Sequence, residues 1–312
     1  MRAQIRLLSD GRRLHLHDGP IDLIIEAFGQ PDQINIAYRA AADRFVHVLD
    51  ELCSELAALR QPAHPGVPPA VGVIARRMQA AVAPYCERTF ITPMAAVAGA
   101  VAEEILNAMT SAARLSRAYV NNGGDIALHL APGESFAIGM IERPDRPSLF
   151  GKVALHSADP VRGIATSGWR GRSFSLGIAD AVTVLADRAA NADAAATIIA
   201  NAVDLPGHLK VTRVPARDLA PDSDLGDRPV TQAVGPLSCD EIATALDSGV
   251  AVAHSLLVDG LIHSAAIHLR ESTRIVGSMP DPNQHSLRPP RPLSAPGLSE
   301  AEGTSAIPAF DL

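Results

Sequence analysis

The 312-residue chain carries 27 Lys and Arg against 34 Asp and Glu, a net charge of −7, and its basic residues are spread out, which argues against nucleic acid as a partner. Its length permits a large buried core, in one large or two modest domains. No apolar run reaches about 18 residues, so no transmembrane helix and no membrane partner are expected. Cys53, Cys86 and Cys239 are odd in number, widely spaced and lack a C-x-x-C pair, which argues against a zinc site or a disulfide framework.

In chain order, residues 2–8 and 12–17 read as short strands joined at Asp10-Gly11, a hairpin signal. Gly19-Pro20 breaks the chain before an apolar segment over 21–27 whose type the pattern leaves open. A long amphipathic helix is expected over 34–59, with Ala41, Phe45, Val48, Leu49, Leu52, Leu56 and Leu59 on one side. A proline-rich loop covers 61–69. Helices follow over 71–83 and 94–113, the second ending near Arg114 and Arg117.

From Ala118 to Ala186 the pattern is short strands separated by Gly and Pro. A helix over 193–203 stops before Leu205-Pro206-Gly207. Residues 206–236 read as polar and irregular. Ser238 and Glu241 form a capping-box pattern that opens a helix through about Leu257, and 261–269 and 273–276 close the domain as strands. Seven of the 24 prolines fall between Pro280 and Pro308, so 278–312 is expected to be a disordered tail after a single domain over 1–277. Helices before and after a block of strands imply an α+β fold.

Three segments carry candidate chemistry. In Ala192-Asp193-Ala194-Ala195-Ala196-Thr197, Asp193 and Thr197 are four apart and share a helix face. A carboxylate and a hydroxyl are hard oxygen ligands suited to Mg²⁺. The same residues have an ordinary reading: Asp193 would favour the helix dipole, Asn191 would cap the first turn, and Thr197 would bond back to the carbonyl of residue 193. Asn122-Gly123-Gly124-Asp125 is either a hairpin turn or a side-chain-free approach for a flat ring or a phosphate. Ala165-Thr166-Ser167-Gly168 reads as a turn that is either solvated or a phosphate lining. Arg170 and Arg172, beside the only tryptophan, Trp169, either grip phosphates or face solvent. His15 with His17, and His263 with His268, lack metal-ligand context. There is no Walker A loop, G-x-G-x-x-G or G-x-S-x-G.

The order of these segments resembles the ApbE-like superfamily, the FAD:protein FMN transferases. Thr166-Ser167-Gly168, the strand over 180–186 and the A-D-A-x-A-T helix match its late signature. Asn121 to Asp125 match its N-x-G-G-D segment, and Pro93 to Ala100 resemble its Gly/Ala-rich turn, so the likeness spans roughly 90–205. The opening segment resembles an uncharacterised cytosolic branch. The resemblance implies an antiparallel sheet of the T-fold kind covered by helices. It also implies FAD or FMN bound by Asn122, Gly123, Gly124, Asp125, Thr166, Ser167 and Gly168. Mg²⁺ would be held by Asp193, Thr197 and a main-chain carbonyl near 96–98.

FMN transfer or related flavin or phosphoryl chemistry follows from that likeness. The alternatives are a non-catalytic flavin-nucleotide binder or sensor, and a structural subunit. The family's His-x-x-[Asp]-Pro segment and Lys-Gly pair are absent, so the binding parts match and the transfer parts do not. A small-molecule nucleotide partner and a cytoplasmic location are expected, the latter because residues 2–8 show neither an apolar signal core nor a lipobox cysteine. A homo-oligomer is compatible with all of this.

Overall fold

Gln4–Leu7 (β1), Leu14–Asp18 (β2) and Ile21–Phe28 (β3) pair antiparallel in succession. Strict alternation of buried and half-buried positions along β2 and β3 puts Leu14, Leu16, Leu23 and Ile25 on one face. The segment over 21–27 is therefore a strand. The computed structural model describes residues 3–141 and 149–279. The expected tail lies outside the described residues from Pro280 onward.

The single long helix expected over 34–59 is two helices, Pro31–Phe45 (α1) and Val48–Leu59 (α2). Val46 and His47 interrupt it with local turn bonds to Ala42 and Arg44. The break lets both Phe45 and Val48 be fully buried, while Arg44 ties the joint to Glu51 at 2.7 Å and to Glu104 at 2.8 Å. Val73–Val82 (α3) and Val97–Ala112 (α4) follow, with a 3-10 turn over Pro93–Ala96 between them. α4 carries no basic residue in its last turn. Arg117 belongs instead to the next strand, where it lies 4.3 Å over the Phe28 ring.

The strand block is Arg117–Asn122 (β4), Asp125–Leu130 (β5), Ser135–Ile141 (β6), Leu149–His156 (β7), Gly163–Ser167 (β8) and Ala181–Ala186 (β9). Ala189–Ala202 (α5) follows. Residues 206–236, expected to be irregular, contain a two-stranded hairpin, Val211–Pro215 (β10) and Pro229–Val234 (β11), joined through the short helix Ala216–Leu219 (α6). Cys239–Val258 (α7) has the full capping box, with Glu241 N–H donating to Ser238 and Ser238 N–H donating to Glu241. Ser264–Leu269 (β12) and Ser272–Gly277 (β13) close the described chain.

Among the described residues, nine strands form one antiparallel sheet in the order β1-β2-β3-β4-β5-β8-β9-β12-β13, and β6-β7 forms a separate hairpin. This is an α+β fold. Helices α1, α4, α5 and α7 pack along one face, over β2–β3, β4–β5, β8–β9 and β12–β13 in turn. Most of the core lies between them. On the other face the β6–β7 hairpin closes a second cluster around Leu128, Leu155, Ile164 and Leu185. Alternation in β9 sends Val182 and Val184 to the helix layer and Leu185 to the hairpin side. Among the described residues, α7 is long and apolar enough on average to cross a membrane; it packs on β12, β13 and α5.

Candidate functional site

A cavity of about 750 Å³ opens where the β4–β5 turn and the end of β8 leave the sheet. Asn122, Gly123, Gly124, Asp125, Thr166, Ser167, Gly168, Asp193 and Thr197 all line it. Sequence separation hides this proximity; the antiparallel register of β5 with β8, Ile126 opposite Ile164, creates it.

The β4–β5 turn is built by its glycines. Gly123 has φ +67° and Gly124 φ +118°, conformations that side chains rarely adopt. Gly124 N–H donates to Asn121 Oδ1 at 2.9 Å. Asn122 is buried and donates from Nδ2 to the Ala98 carbonyl at 3.2 Å. The residue therefore ties the turn to the start of α4.

Thr166 and Ser167 were expected in a turn. They are the last two residues of β8, paired with Thr183 and Val182, because Ile164 and Thr166 fit a strand held on both sides. Thr166 N–H donates to Asp125 at 3.2 Å, and the Thr166 and Thr183 hydroxyls are 3.0 Å apart. Gly168 follows at the cavity rim.

α5 begins at Ala189, earlier than expected, so Asp193 is its fifth residue and lies beyond the first turn. Asn191 does not cap it; its amide donates to Asp187 at 2.9 Å. Nor does Thr197 bond back to residue 193, and its hydroxyl makes no hydrogen bond with the described residues. The end of α5 is held from outside. Glu103 of α4, 8% exposed, accepts from Ala190 N–H at 2.8 Å and pairs with Arg188 and Arg77 at 2.9 Å each. Gly99 lets α4 lie directly on α5, since a Cβ there would fall inside the Ala189 carbonyl. Its N–H donates to Asp193 Oδ2 at 3.0 Å.

The electrostatics of this corner are unusual. Burial pushes the Asp125 carboxyl up to about 7, against the Thr166 N–H and Arg172, which pull it down. Asp193 is raised well above the usual carboxylate range, first by burial and then by the Asp125 charge, with the Gly99 and Ala98 N–H groups opposing. Two half-buried carboxylates thus repel one another beside an unbonded hydroxyl. Among the described residues there is no cluster of three His, Cys, Asp or Glu, so no all-protein transition-metal cage is present. The oxygen donors fit a hard divalent cation that draws much of its shell from water and phosphate.

The two arginines separate. Arg170 bonds Asp180 at 2.6 Å and stacks 4.3 Å over Trp169. Arg172 lines the cavity instead and rests against Gly123. Asp224, which lies between Asp222 and Asp227 in the chain, reaches the rim and accepts from the Thr92 hydroxyl. His15 bonds Asp22 and His268 bonds Thr273, and neither histidine is at the cavity. Glu103 carries one signal in the sequence, the acidic pair Glu103-Glu104 inside the otherwise apolar window Val101–Leu106.

The family model described as AbpE bacteria matches residues 5–276. The chain belongs to this family. It is therefore a member of the ApbE-like superfamily. A UPF0280 protein of Methanopyrus kandleri is 40% identical over 129 residues, covering 41% of this chain and 48% of that one. One from Methanothrix thermoacetophila is 39% identical over 121 residues, covering 38% and 49%. The chain spans about half the length of the curated relatives it matches. Among solved structures, the ApbE protein of Thermotoga maritima aligns with TM-score 0.47 at 13% identity over 88% of this chain and 97% of that one. The apo flavinyl transferase ApbE of Pseudomonas stutzeri aligns with TM-score 0.45 at 10% identity over 88% and 95%.

Proposed function

We propose that the cavity binds a flavin nucleotide, FAD or FMN, together with Mg²⁺ held by Asp193 and Thr197, and that the protein transfers FMN or cleaves a related phosphoanhydride. The observation that carries this reading is the half-buried carboxylate pair, Asp125 and Asp193, beside the Thr197 hydroxyl in one cavity with a two-glycine turn. Carboxylates so arranged are relieved by a divalent cation. The flavin is what the resemblance to the ApbE-like superfamily implies.

In this reading the Ala98 carbonyl, already accepting from Asn122, has a second lone pair for the ion. A bound Mg²⁺ would supply charge neutralisation and polarisation of phosphate oxygens. The chain itself does the rest. Gly123 and Gly124 admit a planar group to the backbone, Thr166 N–H fixes Asp125, and Gly99 N–H orients Asp193. Apolar walls, Ile126, Ile164 and Leu185 among them, offer a surface against which a flat ring can pack. The cytoplasm is the compartment we propose, since all three cysteines are free.

One observation favours a second reading, a non-catalytic binder or sensor. Among the described residues the cavity lining holds no His, Lys or Cys to act as a proton shuttle or strong nucleophile. Incubation with FAD and Mg²⁺ followed by mass spectrometry separates the two. Release of AMP that is lost in Asp193→Ala supports chemistry, and flavin retention without AMP supports binding alone. Failure of the wild type to hold any flavin in Mg²⁺ would overturn both.

A further inference from the structure

Among the described residues, three carboxylates line the cavity, Asp125, Asp193 and Asp224, against a single cationic side chain, Arg172. With its carboxylates ionised, a cavity with that balance repels a bare anion. A divalent cation offsets part of the repulsion, but a phosphate ester also gains from one direct cationic contact from the protein.

Arg172 has the placement for that contact. Its neighbour Arg170 is engaged by Asp180 and Trp169. Arg172 is exposed and makes no hydrogen bond with the described residues. Its guanidinium lies on Gly123, where any Cβ would collide with it, and it acts on the Asp125 carboxylate electrostatically. A planar five-donor group beside a glycine turn, next to an acidic pair, matches the fork geometry of phosphate recognition.

We propose that Arg172 is the specificity-determining residue of the cavity, selecting ligands with a phosphate ester over their uncharged counterparts. The proposal rests on the flavin-nucleotide reading for its ligand, and not for its charge argument. Gly123 is then required for its left-handed turn, and its missing side chain leaves the guanidinium room at that turn.

Riboflavin and FMN differ only in that ester, so they make the test. Their affinities are compared by flavin fluorescence quenching in Mg²⁺ for wild type, Arg172→Ala and Arg172→Lys, all checked for equal melting temperature. The wild type should prefer FMN, and Arg172→Ala should lose about 10- to 100-fold in FMN affinity, the range of a charged hydrogen-bonded contact. Riboflavin affinity should change less than about twofold, and Arg172→Lys should recover part of the preference, since charge returns without the fork. An unchanged FMN-to-riboflavin ratio in Arg172→Ala, or equal loss of both ligands, overturns the proposal. If the wild type binds neither flavin, the flavin reading fails and inorganic pyrophosphate with Mg²⁺ decides. Pyrophosphate binding that falls about tenfold or more in Arg172→Ala upholds Arg172, and binding that is absent or unaffected refutes it.

Discussion

Asp193 accepts a hydrogen bond from the backbone N–H of Gly99, 3.0 Å away across 94 residues of chain. One glycine therefore sets both the approach of α4 to α5 and the orientation of a cavity carboxylate. Gly99→Ala must push the two helices apart, because the added Cβ meets the Ala189 carbonyl, a backbone atom that cannot rotate away. Overpacking of this kind costs about 1–3 kcal/mol. The same displacement breaks the bond to Asp193. Urea unfolding should show the loss, and Mn²⁺ titration followed by electron paramagnetic resonance should show weaker cation binding. Unchanged stability with unchanged Mn²⁺ affinity would mean that the helices tolerate separation.

The raised carboxyl of Asp125 makes the stability of the ligand-free protein depend on pH. Its ordinary value is 3.8 and its folded value about 7, so the folded state holds this proton more tightly than the unfolded chain. That contribution is complete below the unfolded pKa and is lost as pH rises through the folded one. Asp125→Asn removes the titration while keeping an acceptor for Thr166 N–H. It should stabilise the ligand-free protein by about 1–3 kcal/mol near pH 8, and the gap should close near pH 4. Adding Mg²⁺ near pH 8 should narrow it from the wild-type side. A gap that does not vary with pH would remove the burial argument.

Glu103 should matter more than its place among helix residues suggests. The N-cap of α5, Arg188, offers no side-chain cap, and Glu103 supplies the acceptor from α4 while neutralising Arg77. Glu103→Ala leaves Arg77, 10% exposed, with only Glu104 as an acidic partner. Removing one partner of such a buried pair costs about 3–5 kcal/mol. Glu103→Gln keeps the acceptor for Ala190 N–H and should lose clearly less. Equal losses in the two variants by chemical denaturation would assign the whole effect to charge and none to the cap.

Much of the fold was readable because one face of each element is buried. Leu14, Leu16, Leu23 and Ile25 alternate, and Ser238 with Glu241 announces α7 locally. The site segments were readable as small-residue strings, and their order carried the family. The rest depends on non-local pairing. Residues 31–59 keep a helical apolar spacing straight through the Val46–His47 break, because Phe45 and Val48 are buried on either side of it. The β10–β11 hairpin is hidden by charged and turn-forming residues. Thr166 and Ser167 become strand only once β5 and β9 flank them. Which arginine is engaged and which faces the cavity is decided by Asp180, a residue the local pattern marks only as the start of a strand.

Asp180 gives the last prediction. It is 2% exposed and accepts from Trp169 Nε1 at 3.1 Å, Arg170 Nε at 2.6 Å and Arg270 N–H at 2.6 Å. These bonds pin the loop that carries Gly168, Gly171, Arg172 and Phe174 to the cavity. Asp180→Ala strips the buried acceptor from all three donors and leaves the Arg170 charge less compensated, which should cost about 3–5 kcal/mol. Asp180→Asn keeps two acceptor lone pairs but points an NH₂ group at one of the donors, so it should be intermediate. Because Trp169 is the only tryptophan, its emission reports on this loop without interference from elsewhere. In Asp180→Ala the emission of the folded protein should shift to longer wavelength, as the indole N–H loses its partner and meets water. A native spectrum with native stability would show that the loop is held by its own packing, and that Asp180 does not place Arg172.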